Sequence, residues 1–137
     1  MSKHSRRSFI TNTGKAALVT TFASLTYTTA SAMTANNIFI HHVFFYLKNP
    51  ASTADRDKLV EGLRKLSKVK TIKTFHIGKP ADTHRDVIER SYSISWMLNF
   101  NNAADQESYQ TDPIHLKFIE DYSSLWQKVV VYDSVDV

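Results

Sequence analysis

An α+β fold of β-α-β-β-α-β order, a four-stranded antiparallel sheet with its helices on one face, is what this sequence predicts. Three observations predict it. Ile38 to Leu47 is an almost unbroken aromatic and β-branched run. Further on, Tyr92 to Phe100 alternates with period two, flanked by two shorter β-rich stretches near residues 69–77 and 129–132. Between these lie segments whose apolar residues recur at helical spacing, around Leu59 to Leu66 and Ile114 to Leu125. At 137 residues, 42% of them hydrophobic, the chain suffices for one domain with a modest core and has no room for a second.

The elements follow in order. Ile38 to Leu47 has almost no polar alternation, so it reads as a central strand buried on both faces. Its period of two sets Ile38, Ile40, His42, Phe44 and Tyr46 on one side and Phe39, His41, Val43, Phe45 and Leu47 on the other. Asn49-Pro50 ends it, and Ser52 or Thr53 caps a helix whose stripe is Leu59, Val60, Leu63 and Leu66. Val69 to Ile77 is a weaker strand suited to an edge, stopped by Gly78-Lys79-Pro80 ahead of a polar loop to about Arg90. In the third strand Tyr92, Ile94, Trp96, Leu98 and Phe100 form the apolar face, against Ser91, Ser93, Ser95 and Asn99. Asn101 or Asn102 caps a short helix to Tyr109, and Asp112-Pro113 starts another, with Pro where its missing N–H costs nothing. Ile114, Phe118, Tyr122 and Leu125 continue the inner stripe, and Val129 to Tyr132 is the last strand.

This order is the ferredoxin-like arrangement. The first strand is apolar on both sides, yet the chain has helices for only one. A second copy packed sheet against sheet is the simplest cover, so a homodimer closing a barrel between subunits is expected.

Charge separates the domain from what precedes it. The formal net charge of +4 resides in residues 1–32, which hold Lys3, Arg6, Arg7 and Lys15 and no acid, leaving 13 basic residues to balance 13 acidic ones. A neutral body without a basic stripe excludes nucleic acid as a partner, since phosphate-backbone binding needs clustered cations. Ser5-Arg6-Arg7-Ser8-Phe9-Ile10 resembles a twin-arginine export signal, followed by a mildly apolar stretch from Ala16 to Leu25 and the small-x-small site Ala30-Ser31-Ala32. Residues 1–32 are therefore expected to be a cleaved signal and 33–137 the domain, exported to a periplasmic or extracellular location. No stable membrane span is expected, because the run is too short and Thr-rich. With no cysteine in the chain, disulfides, thiolate metal sites and Cys nucleophiles are excluded, and chemistry falls to His, Tyr and carboxylates.

The densest such stretch is Tyr109-Gln110-Thr111-Asp112-Pro113-Ile114-His115. With Asp112 as cap, His115 lies in the first helical turn, where the dipole disfavours an imidazolium and favours a neutral proton acceptor. Asp112 acts in the opposite sense, its carboxylate expected to accept the N–H of residue 115 and to stabilise a charged ring. The balance stays open, as does the choice between His115 as a general base and as a structural cap histidine. Tyr109 is suited to donate to an enolate or carbonyl oxygen. His42 is read as a pocket-wall or core histidine as readily as a base, His41 as a barrel or interface residue, and Tyr46, Trp96 and Phe118 as core that also walls the pocket. No phosphate-binding glycine loop, HExxH or paired-carboxylate pattern is present.

His42-Val43-Phe44-Phe45-Tyr46-Leu47-Lys48, Asp112-Pro113-Ile114-His115 and Trp126-Gln127-Lys128-Val129-Val130-Val131-Tyr132-Asp133 together resemble the stress-responsive dimeric α/β-barrel family, Dabb, over about residues 38–135. The resemblance implies a small ferredoxin-like dimer. One plant branch, the olivetolic acid cyclases, closes a linear polyketide without metal or organic cofactor. Its pocket is lined by a strand histidine, a tyrosine and a histidine six residues later that acts as base, which implies His42, Tyr109 and His115 here. Where the family often has His before the Pro, this chain has Asp112.

Three function classes follow. The first is a cofactor-free His/Tyr acid–base enzyme, cyclase- or lyase-like, acting on a small, largely apolar molecule. The second is a non-catalytic binding or stress-protective dimer. The third is a metal or haem site on His42 and His115, by analogy with other dimeric α/β barrels; no other metal ligand set is assigned.

Overall fold

Hydrophobic parity in the first strand organises the molecule. In a computed structural model, which describes residues 37–137, β1 (Phe39–Leu47) turns His41, Val43, Phe45 and Leu47 into the core. It is followed by α1 (Thr53–Leu66), β2 (Thr74–Gly78), β3 (Ile94–Phe100), α2 (Ala103–Thr111), α3 (Pro113–Tyr122), a 3-10 turn at Ser123–Leu125 and β4 (Trp126–Val135). The four strands form one antiparallel sheet of order β2-β3-β1-β4, the ferredoxin-like arrangement, with β1 central and β2 at an edge as expected. The expected signal sequence and its cleavage site lie outside the described residues. Among the described residues no helix is long and apolar enough to cross a membrane.

The caps lie where the side chains allow. Ser52 Oγ accepts the Asp55 N–H at the start of α1, and Asn102 Oδ1 accepts the Asp105 N–H at the start of α2. Leu59, Leu63 and Leu66 of α1 and Phe118 and Tyr122 of α3 then pack against Ile94, Trp96, Leu98 and Phe100 of β3 and the inner residues of β1. Gly62 lets the two helices meet, because a Cβ there would stand 2.9 Å from the Tyr122 ring.

Three expectations are corrected in detail. β2 begins at Thr74, because Val69 and Ile72 are taken up by successive turns after α1, Val69 N–H donating to Leu66 O and Ile72 N–H to Val69 O. Tyr92 leaves the apolar row of β3 and sets its ring 4.9 Å from Phe44, on the opposite sheet face. β4 extends well beyond its four-residue apolar heart, carried along by pairing with the whole of β1.

Among the described residues nothing covers the sheet face away from the helices. Phe44 packs there against His42 at 4.2 Å and Tyr132 at 5.9 Å, and Lys128 Nζ sits 4.8 Å from the Tyr46 ring centre. Within the chain β1 is thus buried on one side and half-buried on the other.

Candidate functional site

Asp112 joins the two helices that carry Tyr109 and His115. Its N–H donates to Tyr109 O to close α2, and its carbonyl accepts the Leu116 N–H to open α3. Its carboxylate caps Ile114 N–H at 2.8 Å, not the expected residue 115, because its extended ψ of 135° aims the side chain at the nearer amide.

That junction folds His115 back over α2. The ring's Nδ1 lies 3.1 Å from Gln110 O, and since a carbonyl can only accept, Nδ1 carries the proton and Nε2 is the lone-pair nitrogen. Burial is the leading influence and holds the pKa below its ordinary value, with the positive charge of His41 adding to it; the Gln110 carbonyl and Asp112 pull the other way without reversing it. The balance left open by the sequence therefore falls on the neutral base.

Tyr109 lies between two imidazoles, its ring 4.6 Å from His115 and 5.9 Å from His41. Only 1% of its surface is exposed, and burial pushes the phenol well above its usual range, so it stays protonated. The Trp96 indole N–H donates to the phenol oxygen at 3.3 Å, which leaves the O–H free to donate elsewhere.

His41 completes the group. Its Nδ1 lies 2.6 Å from Asp133 Oδ1, a bond that crosses from β1 to β4 through the direct pairing of the two residues. The carboxylate fixes the tautomer and leaves Nε2 for proton exchange. These side chains line one cavity of about 210 Å³ with Trp96, Phe118, Ile119 and the valines of β4. A larger groove of about 310 Å³ between α1 and α3 has no histidine in its wall.

The structure thus brings together Tyr109, His115, Trp96 and Phe118 and separates the other expected members. His42 and Tyr46 are on the opposite sheet face, because they share parity with Phe44 rather than with Val43 and Phe45. Asp112 acts from the helix junction and is not a wall residue. His41, expected at a barrel or interface, occupies the place expected for His42. A joint metal or haem site on His42 and His115 is overturned by the sheet between them, and among the described residues no three His, Cys, Asp or Glu side chains form a metal-binding group. Asp133 was missed altogether, since only strand register links it to His41.

A family model, the stress responsive A/B barrel domain or Dabb, matches residues 39–136. A stress-response A/B barrel domain-containing protein of Arabidopsis thaliana is 24% identical over 78 residues, 56% of this chain and 69% of that protein. The hydroxynitrile lyase of Passiflora edulis superposes with a TM-score of 0.62 at 21% identity, over 74% of this chain and 95% of that one. A dimeric ferredoxin-like protein of unknown function from Thermobifida fusca superposes with a TM-score of 0.61 at 13% identity, over 74% and 92% of the two chains. With its topology in place and the family model spanning nearly the whole domain, this chain belongs to the Dabb family of stress-responsive A/B barrel proteins.

Proposed function

We propose that the protein is an exported homodimer whose pocket takes up a small, largely apolar carbonyl or α-hydroxy compound and moves a proton on it without a cofactor. One observation carries this reading: His115, with Nδ1 committed to Gln110 O and its pKa lowered, shares a mostly apolar cavity with a phenol kept in its donating form. His115 Nε2 takes a proton from an acidic O–H or from a C–H beside a carbonyl. The Tyr109 O–H donates to the oxygen on which negative charge develops. His41, oriented by Asp133, returns or receives the second proton. In cyanohydrin cleavage the C–CN bond breaks as the hydroxyl proton is taken, and that proton leaves on the cyanide as HCN; in enolate-based ring closure the C–H proton ends on the new alkoxide. The likeness to a hydroxynitrile lyase makes the first a natural trial. Export rests on residues 1–32, and the dimer on the uncovered sheet face together with a relative described as dimeric.

The test is turnover of a panel of aryl cyanohydrins and enolisable ketones, the latter followed as deuterium uptake by NMR. His115→Ala, with an unchanged circular dichroism spectrum, is expected to lose about 10²- to 10⁴-fold in rate. Normal turnover in that variant would overturn the reading. Ligand uptake with no conversion by the wild type would leave a binding dimer in its place.

A further inference from the structure

His42 and His76 are both register partners of Met97, from opposite sides, so the three residues form one row across β1, β3 and β2 on the uncovered sheet face. Directly opposed residues of antiparallel strands have Cα atoms about 4.5–5.5 Å apart, so the two histidines flank Met97 at that spacing along the row. Both rings lie along the sheet toward the neighbouring row of Phe44, Ser95 and Gly78. The His42 ring centre is 4.2 Å from that of Phe44. His76 lies over Gly78, where an added Cβ would come within 2.9 Å of its Cε1, 3.2 Å of its Nδ1 and 2.8 Å of Ser95 Oγ. Gly78 is the space that the His76 ring uses.

Unlike His41 and His115, whose Nδ1 atoms are committed to protein oxygens, neither His42 nor His76 has a hydrogen-bond partner among the described residues. Burial, and next to it the charge of His76, keep His42 neutral to lower pH than usual, the form in which imidazole binds metal. The other residues on this face of β1, β2 and β3 are Ile40, Phe44, Tyr46, Thr74, Gly78, Ser95 and Asn99, none of them acidic. A donor set of two imidazoles and a thioether with no carboxylate disfavours calcium, magnesium and manganese and suits a soft ion.

We propose that this row binds copper(I), held by one ring nitrogen of His42, one ring nitrogen of His76 and Sδ of Met97. The site is separate from the His115 pocket and stands whether or not that pocket is catalytic. A sheet-to-sheet dimer would bring two such rows into one interior without changing the ratio of one ion per chain.

The experiment is an anaerobic competition for copper(I) between the protein and a chromophoric copper(I) chelator, with X-ray absorption of the loaded protein. One ion per chain with both nitrogen and sulfur in its shell is expected. Met97→Leu should remove the sulfur signal and weaken binding about tenfold or more, and His76→Ala should weaken it comparably. His76 is exposed on an edge strand, so this second variant keeps the test valid if the first fails to fold. His84→Ala, in the polar loop, should bind like the wild type. Failure to compete with the chelator, a shell without sulfur, or unchanged affinity in Met97→Leu would overturn the proposal.

Discussion

His115 owes its neutral form to burial and its tautomer to a main-chain carbonyl one turn back, and both have measurable consequences. Its pKa in the fold lies below the 6.5 of the unfolded chain. As pH falls below 6.5 the unfolded chain therefore binds more protons than the native one, and stability declines, levelling out above that pH. His115→Gln is expected to lose less melting temperature than the wild type between pH 7 and pH 5, as scanning calorimetry would record. Tyr109→Phe deletes the acceptor of the buried Trp96 N–H and should cost about 1–3 kcal/mol in urea unfolding. At this scale the sequence was partly readable. Tyr109 and His115 are six residues apart across a helix start, so their meeting was visible in one short stretch. His41 and His42 are neighbours with opposite parity, and a strand apolar on both sides does not say which face receives the helices. The available signal was composition: His41 runs with Val43, Phe45 and Leu47, whereas His42 runs with Tyr46. Asp133 carries no local signal at all, because 92 residues separate it from its partner.

Among the elements, the α1–α3 contact and the two-helix junction set the position of the pocket wall. A methyl added at Gly62 meets the face of a buried, rigid Tyr122 ring, so the helices must part. Gly62→Ala should destabilise the fold by about 1–3 kcal/mol, measured by urea denaturation, despite alanine's better helix propensity. Asp112→Ala removes the cap of α3 and is expected to cost about 1 kcal/mol and to lower turnover, whereas Asp112→Asn, which can still accept the Ile114 N–H, should retain most of both. The helices were legible from their caps and apolar spacing. β2 was less so, because Val69 and Ile72 look like strand residues but are taken up in turns, Val69 buried and Ile72 partly so, where packing and not β-propensity decides.

For the molecule as a whole, the sheet supplies one face to the helices and leaves the other uncovered among the described residues. Sedimentation equilibrium is expected to report a homodimer, and Phe44→Asp, which puts a charge among His42, Tyr92 and Tyr132, should shift it to monomer. The uncovered face was readable from the count of helices against apolar faces. Asp112 imposes a further limit on how such a molecule can change. Since one residue both ends α2 and begins α3, the connection has no slack, and any inserted or deleted residue between Tyr109 and His115 displaces the imidazole from the phenol. Variation in length is confined to stretches such as the 79–93 loop. A change in the shape of the cavity has to be sought by exchanging side chains at Ile119, Val129 and Val131, with Tyr109 and His115 left in step.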